Sequence, residues 1–186
     1  MKELLLRLPD NLPGILIGQH IPPVFSKTFA ERLNEICAME VREAEPGDEA
    51  KPGTVLIAPG DYHLVVDGPG NSYRVQLRQD PPIHHTRPAV DMLFNSAARC
   101  AGANALGVIL TGMGRDGAQG MQQLKANGAV NLAQNEATCV VYGMPRAAVE
   151  LGVVDRLLPL DQIPQAMLHA LRERSPLKAD PHAVLK

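Results

Sequence analysis

The chain has 186 residues, 45% of them hydrophobic and 20% charged, and a net charge of -2. That is enough to bury the core of one globular domain, and too little charge of one sign for the electrostatic footprint of a nucleic-acid binder. Three Tyr, three Phe and no Trp leave little for base stacking.

No apolar run approaches the roughly 18 residues of a membrane span, and MKELLLRLPD reaches its proline too soon to be a signal peptide. Cys37, Cys100 and Cys139 are odd in number, far apart and set in apolar contexts. They suggest neither a disulfide framework nor a zinc knuckle, and they fit a reducing cytoplasm.

In chain order, the short aliphatic runs at 14–17 (GILI), 54–58 (TVLIA), 107–111 (GVILT), 128–133 (GAVNLA) and 139–142 (CVVY) predict strands buried on both faces. Helices are predicted between them. Residues 24–37 place Phe25, Phe29, Leu33 and Ile36 at helical spacing, 89–101 and 118–126 are weaker versions, and 160–172 aligns Ile163, Met167, Ala170 and Leu171 on one face. Residues 63–77 read as a β-hairpin around Asp67-Gly68-Pro69-Gly70-Asn71. The order predicts an α/β fold with a mostly parallel sheet flanked by helices, followed by a frayed tail from Ser175, which contains Pro176, Asp180 and Pro181.

Open α/β sheets bind ligands at the carboxyl ends of their strands, so the loops after GILI and GVILT are where chemistry is to be sought. The first carries Gly18-Gln19-His20-Ile21-Pro22-Pro23, whose prolines stiffen the histidine's surroundings. The second carries Thr111-Gly112-Met113-Gly114-Arg115-Asp116-Gly117. Asp116 reads either as the N-cap of the helix that follows or as the acid that orients His20 in a nucleophile–histidine–aspartate triad. His20 reads as a loop histidine or as a general base. The glycines would also suit a phosphate cradle, although Asp116 would repel the anion and no P-loop Lys-Ser or Lys-Thr pair is present.

Other polar residues have plainer readings. Asp61, His63, His84 and His85 lack metal-ligand spacing, Pro59-Gly60-Asp61 reads as a turn, and Arg87-Pro88 with Asp91 reads as a helix start with an acidic first turn. No metal, nucleotide or flavin is expected; the cofactor expectation is none.

Five ordered segments, GQHIPPVFSKTFAERLN, PGTVLIAPGDYHL, RPAVDMLFNSAA, GVILTGMGRDGAQGM and AQNEATCVVYGMPRAAVELG, resemble the catalytic domain of the bacterial chemotaxis receptor methylesterases, the CheB family. The resemblance runs from about Leu4 to about Leu171. It implies a doubly wound α/β fold over residues 1–174, with 175–186 as a flexible tail. It also implies hydrolysis of glutamate methyl esters on cytoplasmic segments of methylated chemoreceptors, with deamidation of receptor glutamines. By the same resemblance His20 is the general base, Asp116 its orienting acid, and Met113 the residue whose backbone N–H contributes to the oxyanion hole. The APGD loop and the RPAVD segment would border the cleft, where Arg87 could meet an acidic receptor segment. A receiver domain usually precedes this domain in the family.

The family's serine sits in a Gly-Ala-Ser-Thr-Gly-Gly turn after the first sheet strand, further ahead of the histidine than the nineteen residues that separate Met1 from His20 here. The resemblance therefore places the serine and the first family strand upstream of Met1, with MKELLLRLP matching the helix after the nucleophile turn. Ser26, Ser72, Ser96 and Ser175 are not at a strand-to-helix elbow, and the three cysteines lie where an apolar context raises a thiol pKa. The expectation is that residues 1–186 alone are inactive, as a fragment of the functional protein. The rival is a catalytically silent receptor-binding or scaffold remnant of the same fold.

Overall fold

The aliphatic runs pair in parallel. In the computed structural model, which describes residues 1–69 and 72–174, β1 (Ile15–Ile17) and β2 (Glu40–Glu43) flank β3 (Thr54–Ile57), with Ile15 and Val41 both opposite Val55. A second set places β7 (Val130–Gln134) between β6 (Leu106–Ile109) and β8 (Arg156–Leu158). The two middle strands are buried on both faces almost throughout, as their largely aliphatic sequences predict, with Asn131 and Gln134 of β7 buried among the aliphatic residues. The hairpin is also present, with β4 (His63–Asp67) antiparallel to β5 (Arg74–Arg78).

Helices cover both sides, namely α1 (Lys2–Leu5), α2 (Pro23–Asn34), α3 (Val90–Cys100), α4 (Ala118–Ala126), α5 (Met144–Glu150) and α6 (Ile163–Arg174). On one side Leu4 and Leu5 of α1, Leu33 of α2 and Ile163 and Met167 of α6 pack with Ile17, Val55, Ile57 and Leu132. On the other, Leu93 packs with Leu56, Leu64 and Val75, while Val90, Met121, Met144 and Ala148 pack with Ile109 and Ala133. Alternate residues of each strand thus feed opposite layers, the period of two that a doubly wound sheet needs. Each fully buried aliphatic side chain contributes about 1.5–3 kcal/mol.

Between the two strand sets is a gap. Among the described residues, β1 pairs only with β3, and β6 only with β7. Their other edges face an apolar cavity of about 340 Å³, lined also by Leu4, Leu5, Leu93 and Met167. At one end the lining includes His20, Thr111 and Gly112.

Two expectations change. CVVY is not a strand: Val140 is 91% exposed and the segment makes only a single parallel bridge, between Gly112 and Tyr142. A fully buried strand needs neighbours on both faces, and here the run crosses the surface as a loop. In α2, which ends at Asn34, the buried face is Ser26, Ala30 and Leu33, whereas Phe25 in the helix and Ile36 beyond its end face water at 60% and 45% exposure. Small residues face inward there because Gly60 approaches Pro23 too closely to admit a side chain, and the Ser26 hydroxyl accepts the Gly60 N–H. Strands β2 and β8 and helix α5 had no sequence expectation, because EVRE and RLL are short, partly charged edge strands. The hairpin tip at Gly70-Asn71 and the tail from Ser175 lie outside the described residues. No helix among the described residues is long and apolar enough to cross a membrane.

Candidate active site

His20 and Asp116 meet. Two loops at the carboxyl ends of β1 and β6 bring His20 Nε2 within 2.6 Å of Asp116 Oδ2. Pro22 is extended and Pro23 opens α2, so the His20 loop passes straight into a helix with little freedom. Across the gap, Gly117 (φ 88°) adopts a left-handed conformation that lets the chain turn from Asp116 into α4.

Asp116 does cap a helix, but not the one that follows it. Its two oxygens accept the N–H groups of Val90 (2.7 Å) and Asp91 (2.9 Å), the first turn of α3. The residue preceding α4 is Gly117, with no side-chain cap. Instead Asp91 Oδ1 accepts the Gly120 N–H of α4 at 2.7 Å. Helices α3 and α4 approach closely enough for this because a side chain at Gly120 would meet Phe94 and Asp91.

The electrostatics follow. Burial drives the Asp116 carboxyl upward, but the His20 hydrogen bond, the Asp91 and Val90 N–H groups and the His20 charge together hold it below the ordinary aspartate value. Burial also drives Asp91 upward. The Gly120 N–H opposes it, the neighbouring Asp116 charge reinforces it, and His84 opposes it, leaving Asp91 raised. Asp116 is therefore ionised near neutral pH and can only accept. Consequently His20 carries its proton on Nε2 when neutral, and Nδ1 is the nitrogen left free to take a proton.

The other polar residues go elsewhere. His63 is fully buried: its Nδ1 accepts the Ala89 N–H at 3.1 Å and its Nε2 donates to Pro81 O at 3.2 Å. His84 Nε2 pairs with Asp91 at 3.1 Å. Arg87 donates to Asp61 Oδ1 from both Nε (3.0 Å) and Nη2 (2.5 Å), and from Nη1 to the Gln79 and Asp80 carbonyls. It braces the APGD loop. The ligand atoms of His84, Asp91 and Asp116 lie within 4.8 Å of one another. Their carboxylates already accept three backbone N–H groups and two imidazole contacts, a donor field that favours anionic oxygen over a bound cation. The same Asp91 carboxylate occupies the start of α4, which removes the phosphate-cradle reading.

Met113 stands 83% exposed on the loop between Thr111 and Asp116, and its backbone N–H donates to no group among the described residues. Ser26 and Ser96 are fully buried; the Ser26 hydroxyl donates to Pro23 O and the Ser96 hydroxyl to Leu93 O. Neither is a nucleophile for His20. Burial also raises the Cys37 and Cys139 thiols. What sequence reading missed is Asp91: its place in the first turn of a helix was legible, whereas its partner in α4, 29 residues on, was not.

Comparison with known proteins assigns the family. Residues 1–167 match the family model for the CheB methylesterase. The chain is 53% identical over 163 residues to protein-glutamate methylesterase/protein-glutamine glutaminase 2 of Syntrophus aciditrophicus, covering 88% of this chain and 48% of that protein. It is 51% identical over 175 residues to the protein-glutamate methylesterase/protein-glutamine glutaminase of Bdellovibrio bacteriovorus, covering 94% and 49%. The chain thus spans about half the length of the curated relatives it matches. The crystal structure of the Thermotoga maritima CheB methylesterase catalytic domain superposes with a TM-score of 0.87 at 40% identity, covering 90% of this chain and 89% of that one. In sequence and in fold alike, the chain belongs to the CheB methylesterase family.

Proposed function

We propose that this chain forms the catalytic domain, over residues 1–174, of a protein-glutamate methylesterase that also deamidates glutamine. It would act in the cytoplasm on chemoreceptor segments, without a cofactor. The 2.6 Å contact between His20 and a buried, ionised Asp116 carries the reading, since a structural cap alone does not need an imidazole aimed at it.

The reading places the nucleophilic serine outside the described residues, in the turn that follows a strand seated between β1 and β6. The apolar cavity supports this, because a strand running parallel to both would end between the His20 loop and the Met113 loop. Serine oxygen attacks the ester carbonyl as its proton passes to His20 Nδ1, and Asp116 stabilises the resulting imidazolium. Backbone N–H groups including that of Met113 hold the oxyanion. His20 then protonates the departing methanol, or ammonia from glutamine. Water attacks the acyl-enzyme, gives its proton to His20, and releases the glutamate carboxyl and the serine.

The test is methanol release from methylated receptor by two proteins: residues 1–186, and the same chain preceded by a strand and a Gly-Ala-Ser-Thr-Gly-Gly turn. The extended protein should be active and melt at a higher temperature, and His20→Ala should abolish the gain. Full turnover by residues 1–186 alone, or turnover that survives loss of His20, would overturn the mechanism. Receptor binding without turnover in either protein would favour the silent scaffold.

A further inference from the structure

The loop that carries Met113 is fastened at its start. Thr111 donates its N–H to Gln134 Oε1 at 2.9 Å, and its hydroxyl both donates to Val141 O (3.0 Å) and accepts the Val141 N–H (2.9 Å). The Gly112 N–H also donates to Val141 O (3.1 Å), while Gly112 O accepts the N–H groups of Gly143 (3.1 Å) and Met144 (2.8 Å). Gln134, 1% exposed at the end of β7, donates in turn to Thr138 O at 2.7 Å. Six hydrogen bonds thus hold Thr111 and Gly112 to Gln134 and the 141–144 segment. Immediately after them the Met113 N–H is unengaged among the described residues.

A backbone N–H stabilises a developing oxyanion only if its direction is set before the charge appears. The direction of the Met113 N–H is governed by the peptide plane that it shares with Gly112 O, the atom that Gly143 and Met144 pin. An exposed threonine that spends its hydroxyl twice on one backbone residue fixes the spacing of the two loops at that point.

We propose that Thr111 is a positioning residue whose hydroxyl clasps the 141–144 segment and thereby orients the Met113 N–H for ester hydrolysis; this rests on the methylesterase reading. The hydroxyl itself touches no substrate. Thr111→Val keeps the shape and removes both bonds, whereas Thr111→Ser keeps them.

Two measurements on these variants decide the matter. Amide exchange is measured on residues 1–186, and kcat and KM for methanol release on the strand-extended protein. In Thr111→Val, exchange at Gly112, Gly143 and Met144 should quicken about tenfold while amides in β7 do not change. Its kcat should fall about 10- to 100-fold with KM within about twofold, because misplacement of a catalytic donor by an ångström can cost ~10²-fold. Thr111→Ser should stay within about threefold of the parent in both measurements.

Unchanged exchange in Thr111→Val would overturn the clasp. Faster exchange with unchanged kcat would overturn its role in catalysis. A Thr111→Ser protein as impaired as Thr111→Val would assign the effect to the methyl group and overturn the proposal too. A parent without ester turnover would sink the methylesterase reading by itself, and the exchange data would then judge the clasp alone.

Discussion

Asp116 caps the helix that carries Asp91, and Asp91 caps the helix into which Asp116 leads. Each carboxylate lies at the positive end of the other's helix, so α3 and α4 cannot separate without exposing both ends. The pair thereby fixes the position of Asp116, and with it that of His20. The arrangement buries two acidic groups side by side, and the consequence falls unequally: Asp116 is held below the ordinary aspartate value and Asp91 above it.

Replacing Asp91 separates its cap from its charge. Asp91→Ala removes the acceptor for Gly120 and should destabilise by about 1–2 kcal/mol. Asp91→Asn keeps an acceptor and removes a disfavoured charge, so at pH 7 it should lie within about 0.5 kcal/mol of the parent or above it. Urea unfolding of the two variants measures the difference. An Asn variant as unstable as the Ala variant would show that the negative charge itself is needed.

Asp116→Asn tests the imidazole. In the parent, nitrogen NMR at neutral pH should find neutral His20 protonated on Nε2. In the variant, the amide oxygen cannot serve both α3 N–H groups and His20 as the carboxylate does. The Nε2–H population should fall, and in an active form kcat should drop on the order of 10³–10⁴-fold. An unchanged tautomer with unchanged kcat would remove Asp116 from the mechanism.

The two carboxylates have opposite pH signatures. Asp116, with a lowered folded pKa, contributes stability that is present above the ordinary aspartate pKa of about 4 and is lost as pH falls through its lowered value. Asp91, with a raised folded pKa, does the reverse: stability declines as pH rises from about 4 through its raised value. Thermal melts over a pH series should show Asp116→Asn with a shallower acid-side decline than the parent, the remainder coming from groups such as Asp48, whose pKa is also lowered. Asp91→Asn should gain on the parent as pH rises above about 4. Parallel curves for all three proteins would refute the linkage.

Gly143 has no space for a side chain. A Cβ there would come within 2.7 Å of Gly112 O and 2.9 Å of Gly114 N, both backbone atoms that cannot swing aside. Gly143→Ala should therefore push the Met113 loop outward, cost about 1–3 kcal/mol and lower kcat more than it raises KM. A variant with the parent's melting temperature would mean that the loop yields freely, contrary to the fastening described above.

The sequence by itself determined the layered α/β plan, because the largely aliphatic runs at 54–58 and 128–133 read as strands covered on both faces, and α6 shows its apolar stripe at helical spacing. It also brought out His20 and Asp116, polar residues at strand ends where the core has no use for them. It could not reveal which helix Asp116 caps, since a carboxylate two residues before α4 looks like that helix's own cap until α3 is packed beside it. Nor could it choose between the two imidazole nitrogens, which depends on the direction from which Asp116 approaches. The aliphatic run at 139–142 was legible as a strand, yet it lies on the surface because its hydrogen bonds go to Thr111 and Gly112 rather than to a sheet neighbour along its length. Composition and periodicity report which residues must be buried, whereas pairing between residues 25 to 96 positions apart is decided only when the layers close.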